Sequence, residues 1–258
     1  MDRILLFIPG YNCEKQVIRV LKQLDEEVMK YITEIIFVNN RSTDNTEKAV
    51  LEFKKKNNLP VHVLRNDENY NLGGSHKVAF NYALENNFDY VIVLHGDDQG
   101  NIHDLLSYLK NEDYKKYDCL LGSRFNKGSK LIGYSKFRIF GNRVFNLIFT
   151  ICIGRRIKDL GAGLNMYKVE ILKNNFYHKF PDRLTFNCCM LFAHDYYKHN
   201  IKFIPISWRE EDQVSNVKMF SQAMNTLKIA LKYRFNKKYV LSEFREKIID
   251  KYTAKEID

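Results

Sequence analysis

Short apolar runs alternate with longer stretches of mixed apolar and polar residues through the first half of the chain, at 4–8, 34–38, 61–64, 90–94 and 119–121. The runs are rich in Ile, Val and Leu with little alternation, as strands are when both faces of a mainly parallel sheet are covered. Between them, residues 14–30, 44–57, 73–86 and 101–109 place apolar positions at helical spacing. Strand and helix therefore alternate as βαβ units do, which predicts an α/β fold of nucleotide-binding type.

After Arg124 the pattern changes to a basic, aromatic, glycine-punctuated segment. Helical patterns follow over 137–153 and 187–200, then a strand pattern over 203–207. From Met219 onward the chain is amphipathic and basic. We read one domain over 1–218, made of halves at 1–124 and 125–218, with a helical tail at 219–258. No internal repeat or Pro/Ser-rich linker divides the halves, so they are expected to share one core.

A chain of 258 residues with 45% hydrophobic and 28% charged residues is neither disordered nor a disulfide mini-scaffold. The 41 Lys and Arg exceed the 31 Asp and Glu, and the resulting charge of +10 calls for an anionic partner. Cys13, Cys119, Cys152, Cys188 and Cys189 show no CxxC spacing and are odd in number, which predicts reduced thiols in a cytoplasm and no structural zinc. The N-terminal apolar run stops at Pro9-Gly10, too soon for a signal peptide, and the stretch 144–153 is interrupted by Asn146 and Thr150. A spanning helix needs about 20 apolar residues, so none is expected.

Ligands of open α/β sheets bind beyond the carboxyl ends of the strands. The residues there read Pro9-Gly10-Tyr11-Asn12, Asn39-Asn40-Arg41-Ser42-Thr43-Asp44, Arg65-Asn66 and His95-Gly96-Asp97-Asp98-Gln99. Polar and acidic groups thus converge on one sheet edge. No GxGxxG follows the first run and no P-loop is present, which disfavours a dinucleotide-dependent dehydrogenase.

In this order the segments resemble family 2 glycosyltransferases of the GT-A fold. The resemblance rests on Ile8-Pro9-Gly10-Tyr11-Asn12, the stretch 38–46, Asn71-Leu72-Gly73 and the DxD-type element at 95–99. It continues through Gly122-Ser123-Arg124, Arg138-x-x-x-Asn142, Asp159-x-x-x-Gly163 and Ile204-Pro205-Ile206, where it is most similar to the dolichyl- and polyprenyl-phosphate sugar synthases. It implies a metal-dependent, inverting transfer from a nucleoside-diphosphate sugar to a polyprenyl phosphate. The nucleotide-sugar half would be 1–124, with Pro9, Tyr11, Asn12, Asn39, Asn40, Asn71, His95 and Asp97 around the donor. The acceptor half would be 125–218, with Arg138, Asn142 and Lys218 toward the acceptor. Asp97, Arg124, Asp159 and Arg209 are the catalytic candidates that it implies.

A diphosphate leaves with extra negative charge, and a hard cation such as Mn2+ or Mg2+ held by carboxylates stabilises it. By resemblance Asp97 and Gln99 are the metal-binding pair, while His95 stands where the synthases carry a first aspartate. A neutral imidazole can ligate a metal or accept from a ribose hydroxyl but adds no negative charge, which leaves Asp98 to compensate. Asn39 and Asn40 stand where relatives carry an aspartate; capping of the sheet edge is their other role, as helix capping is for Asp44.

Arg124, Arg138, Arg143, Arg155, Arg156 and Lys158 crowd one segment with phosphate-binding groups. Arg209 and Lys218 flank an unusual acidic stretch, Glu210-Glu211-Asp212, in a loop without glycine. A hydroxyl acceptor needs a carboxylate base, commonly from a Glu-Asp pair, and Asp182-Arg183 does not match one. A phosphomonoester is already ionised near neutrality. This favours a lipid phosphate over the alternative acceptor, a glycan hydroxyl in capsule, lipooligosaccharide or O-antigen assembly, for which Asp159 or Glu211 would be the base. The acid-free segment 228–238 can lie on an anionic bilayer or dock its apolar face on the domain. The first would place a cytoplasmic protein at the inner face of the plasma membrane. No nucleic-acid-reading motif is present, so no nucleic acid is expected. A retired, non-catalytic nucleotide-sugar binder is the remaining alternative, motivated by His95, Asn39 and Asn40.

Overall fold

The structure is a computed structural model that describes residues 2–212 and 219–257. The five apolar runs of the first half form β1 (Ile4–Gly10), β2 (Glu34–Asn39), β3 (Val61–Asn66), β4 (Tyr90–Leu94) and β5 (Cys119–Ser123). The strands β6 (Lys130–Ile132), β7 (Leu164–Lys168), β8 (Ile201–Pro205), β9 (Ser207–Arg209) and β10 (Ala254–Glu256) follow. The first-half helices are α1 (Glu14–Leu21), α2 (Glu26–Met29), α3 (Thr46–Asn57), α4 (Asn71–Glu85) and α5 (Leu106–Lys110). Those of the second half are α6 (Lys136–Ile153), α7 (Thr185–Tyr196) and α8 (Met219–Phe235).

The main sheet runs β10-β3-β2-β1-β4-β7-β5-β8. Its pairings are parallel except where β7 meets β4 and β5 and where β10 meets β3. Side chains alternate across a strand, so β1 feeds both layers. Leu5 and Phe7 pack with Phe80 of α4 and Phe192 of α7, whereas Leu6 and Ile8 pack with Val17 of α1 and Val50 of α3. Each fully buried apolar side chain of this kind contributes about 1.5–3 kcal/mol. Both halves of the chain enter the first of these layers. Lys77, fully buried on α4, ties the layer to the chain's end by donating to Phe180 O and Asp182 Oδ1 at 2.6 Å and to Tyr252 Oη at 3.1 Å.

Several elements differ from expectation, each for a local reason. The helix expected over 14–30 ends at Leu21, and Asp25 caps a new one by accepting from the Val28 amide at 3.0 Å. The strand expected over 203–207 divides at Ile206: β8 joins the main sheet, while β9 pairs with β6 in a second, two-stranded sheet. β7 carries no apolar run because a buried amide lies in it. Asn165 accepts from the Gly122 amide at 3.1 Å and donates to Ala162 O at 2.8 Å.

The tail expected to be helical over 219–258 is α-helical only in α8, and β10 then returns to the edge of β3. Ala230 and Tyr233 are buried, and Tyr233 donates its hydroxyl to Asp195 on α7 at 2.6 Å. All five cysteines are free and buried. Among the described residues no helix is long and apolar enough to cross a membrane.

Candidate active site

β2 lies on one side of β1 and β4 on the other, which makes their carboxyl ends the point where open sheets bind ligands. The two end loops meet there, with the Gly96 amide donating to Pro9 O at 3.0 Å. Tyr11 is exposed beside them. Asn12, at φ 49°, accepts from the Thr43 amide at 2.8 Å and donates its own amide to Ser42 Oγ at 3.0 Å.

The asparagines behind this edge are engaged within the chain. Asn39 donates to Glu47 Oε2 at 2.6 Å and accepts from the Ser42 amide at 2.9 Å. Asn40 donates to Asn69 Oδ1 at 2.8 Å and accepts from Asn66 Nδ2 at 2.9 Å and the Tyr70 amide at 2.8 Å. Both thus serve the capping role, as does Asp44, which accepts from the amides of Thr46 at 3.0 Å and Glu14 at 3.2 Å. Asn71 opens α4 at φ 57°, but the next amides, of Gly73 and Gly74, donate to Asp182 O at 2.6 and 3.3 Å. A Cβ on Gly73 would lie 2.5 Å from Pro181 O, so this approach requires glycine.

The acidic element sits against the lead-in to β7. The His95 amide donates to Gly163 O at 2.9 Å, and a Cβ on Gly163 would come within 2.8 Å of the imidazole. Burial pushes His95 down to about 4, so the ring is neutral, and its Nε2 is buried without a hydrogen-bond partner. Burial also pushes the Asp97 carboxyl up to about 6, against the Gln99 amide that donates to it at 3.2 Å. Asp98, at φ 60° and 2% exposed, does not stand in for the missing first aspartate. It accepts from Arg19 Nε at 2.5 Å and Gln23 Nε2 at 3.2 Å and forms an ion pair with Arg209, which fastens the loop to α1 and β9.

Among the described residues no group of three His, Cys, Asp or Glu side chains is arranged to hold a metal ion by itself. The donor set nevertheless fits a hard cation that takes one carboxylate from the protein and most of its oxygens from a diphosphate and water. Asp97 would supply the charge for such a cation, and His95, whose Nε2 is buried without a hydrogen-bond partner, lies two positions before it.

On the other side of the site, Arg124 grips Asp159 in a two-pronged pair, with Nε on Oδ2 at 2.8 Å and a terminal nitrogen on Oδ1 at 2.7 Å. The Arg124 amide donates to Oδ2 as well, at 2.9 Å. Burial opposes the guanidinium charge, but Asp159 outweighs it and holds Arg124 above its ordinary value. Tyr134 Oη accepts from Arg124 at 3.3 Å and from Asn142 Nδ2 at 3.0 Å. The Arg138 guanidinium lies 4.9 Å from the Tyr134 ring centroid and pairs with Glu210. The structure therefore brings Arg124, Arg138, Asn142 and Asp159 together, whereas Arg209 belongs to Asp98. Lys218 lies outside the described residues.

Two participants escaped the sequence reading. Tyr134 carried a faint signal, as an aromatic residue among the basic ones. Arg19 carried none, because its partner Asp98 is far away in sequence, and Glu210, marked only as part of an acidic stretch, is likewise distant from Arg138.

A mostly parallel sheet with a DxD-type element at its switch point defines a glycosyltransferase of the GT-A fold. The model for glycosyl transferase family 2 matches residues 6–176, and the chain belongs to that family. Among curated relatives, an undecaprenyl-phosphate mannosyltransferase of Micrococcus luteus is 25% identical over 171 residues, covering 66% of this chain and 68% of the relative. A dolichyl-phosphate beta-glucosyltransferase of Dictyostelium discoideum is 23% identical over 268 residues, covering 96% of this chain and 78% of the relative. Among solved structures, glucosyl-3-phosphoglycerate synthase from Mycobacterium tuberculosis, in complex with Mn2+, UDP and phosphoglyceric acid, superposes with a TM-score of 0.63 at 12% identity, over 91% of this chain and 79% of that one. TarS of S. aureus with UDP gives 0.58 at 20% identity, over 94% of this chain and 70% of that one. At such identities the two structures show the shared fold alone.

Proposed function

We propose that this enzyme moves a sugar, with inversion, from a nucleoside-diphosphate sugar to a polyprenyl phosphate. The observation that carries the acceptor is the Arg124–Asp159 pair. Asp159, one of the two carboxylates, with Glu211, that could serve a hydroxyl acceptor as base, has both oxygens on a guanidinium. A phosphate acceptor needs no base, since it is ionised near neutrality and attacks as it stands. Arginine forks on that side suit its oxygens. The names of the Micrococcus and Dictyostelium relatives, both lipid-phosphate glycosyltransferases, point the same way.

On this reading residues 1–124 bind the donor and 125–218 the acceptor. Pro9, Tyr11 and Asn12 border the donor, His95 faces its ribose or diphosphate, and Asp97 with Gln99 would hold a divalent cation. When bound, that cation offsets the charge growing on the diphosphate as it leaves. Arg124 is kept charged by Asp159 beside the same leaving group, and Arg138 with Asn142 receives the acceptor phosphate. The acceptor oxygen attacks the anomeric carbon opposite the diphosphate, so one displacement inverts it. The free, buried thiols fit action on the cytoplasmic side of a membrane.

The test is incubation with radiolabelled nucleotide-sugars and Mn2+, in the presence of undecaprenyl phosphate or of extracted glycan. Label should enter the organic-extractable lipid and depend on the phosphate. Label found only in glycan would overturn the acceptor assignment.

A further inference from the structure

Every exposed residue of α6 is apolar or basic. Phe137, Phe140, Val144, Leu147 and Ile151 are all exposed, Phe137 at 83%. Their spacing of three and four residues puts them on one face of the helix. The other face, with Asn146, Phe149, Cys152 and Ile153, is buried in the domain. Lys136 and Arg143 complete the exposed set.

α8 packs against α6 and continues the surface. Leu231 and Phe235 stand out from it, Phe235 at 88% exposure, and Lys228, Lys232 and Arg234 are exposed between and beside them. Neither 136–158 nor 219–242 contains a single acid. The two neighbouring helices therefore present large apolar side chains within a field of one sign. An apolar helix stripe of this size is a docking surface rather than ordinary solvent-facing structure.

The charge selects the occupant. A second copy would bring two acid-free basic faces together, and like charges across an interface oppose association. A bilayer with anionic headgroups satisfies both halves of the surface: apolar side chains enter the boundary between headgroups and acyl chains, while Lys and Arg meet the phosphates. We propose that α6 and the outer face of α8 form one docking surface for an anionic bilayer. The same α6 carries Arg138 and Asn142 near its start, so docking sets the proposed acceptor site against the membrane that would hold a polyprenyl phosphate. That consequence rests on the acceptor reading; the docking does not.

The full chain is to be sedimented with vesicles of phosphatidylcholine alone and with vesicles that also contain phosphatidylglycerol. Two variants accompany it, Phe140→Ser with Leu147→Ser and Ile151→Ser, and Lys228→Glu with Lys232→Glu, each at exposed positions and each checked for an unchanged thermal melt. The wild type should bind the anionic vesicles, and each variant should bind roughly tenfold more weakly or worse. A wild type that stays in the supernatant, or an apolar variant that binds as well as wild type, overturns the proposal. So does a wild-type dimer in sedimentation velocity that the apolar variant dissolves while vesicle binding is absent. Transfer to undecaprenyl phosphate in detergent micelles is measured in parallel. Intact vesicle binding without transfer would overturn the acceptor reading and leave the docking surface standing.

Discussion

The carboxylate of Glu210 is paired with the guanidinium of Arg138, so the loop after β9 occupies the arginine proposed to receive the acceptor phosphate. Both side chains are partly exposed, and such pairs contribute about 0–1 kcal/mol, little enough for a phosphate to displace. Glu210 is then an internal competitor. Glu210→Gln should lower the KM for the lipid phosphate by up to about fivefold with little change in kcat. Arg138→Ala should raise that KM by roughly tenfold or more. Initial rates against acceptor concentration decide this, and a KM indifferent to both substitutions would exclude the exchange.

Of the two acids of the 95–99 element, Asp98 is held by Arg19 and Arg209, and burial disfavours the charge of Asp97. A cation at this carboxylate would relieve that cost. Asp97→Asn keeps the shape and removes the charge, and should lower kcat by roughly a hundredfold to a thousandfold. Calorimetric titration with a nucleoside diphosphate should show manganese-dependent affinity in the wild type and none in the variant. Manganese dependence that survives the substitution would assign the metal elsewhere and revive the reading of a non-catalytic binder.

On the proposed reading Asp159 positions Arg124, and its substitution separates that role from proton transfer. Both partners are nearly buried, and breaking such a pair from one side costs about 3–5 kcal/mol because the other charge is left behind. Asp159→Asn should therefore lower the urea midpoint along with activity. A general base predicts another pattern, in which stability is unchanged and the rate recovers as the pH rises. Urea unfolding and a pH-rate profile on the same variant distinguish the two.

Much of this was legible because the chemistry follows strand ends. The runs at 4–8, 34–38, 61–64, 90–94 and 119–121 gave five correct strands, and the loops after them held the edge residues. β7 was not legible, since Asn165 buries an amide where a strand pattern wants an apolar side chain and satisfies it through Gly122 and Ala162. Nor was β10, whose three residues Ala254, Lys255 and Glu256 are a strand only because β3 offers an open edge. At the site, residue type marked Asn39 and Asn40 but could not reveal that Glu47, Asn66, Asn69 and Tyr70 would take their amides. Asp98 looked available for the same reason: Arg19 meets it only after α1 folds back along the sheet.

His178 predicts how the fold responds to acid. Its Nε2 lies 2.8 Å from Asn81 Oδ1, which a neutral ring satisfies by donating. Burial first, then the charges of Lys77 and Arg245, hold the imidazole down to about 4. In the unfolded chain it returns to the ordinary value near 6.5. Between those two values the unfolded state binds the extra proton, so the stabilising difference is complete above about pH 6.5 and is lost as the pH falls toward about 4. A tenfold change in proton affinity is worth about 1.4 kcal/mol, which sets the loss from this residue at about 3 kcal/mol at most. Urea midpoints at about pH 7 and about pH 5 should fall less for His178→Gln than for the wild type, because the amide keeps a donor for Asn81 and does not titrate. Equal falls in the two proteins would mean that His178 already carries its proton in the folded state, and the acid sensitivity would then belong to the other buried imidazoles, His76, His95 and His194.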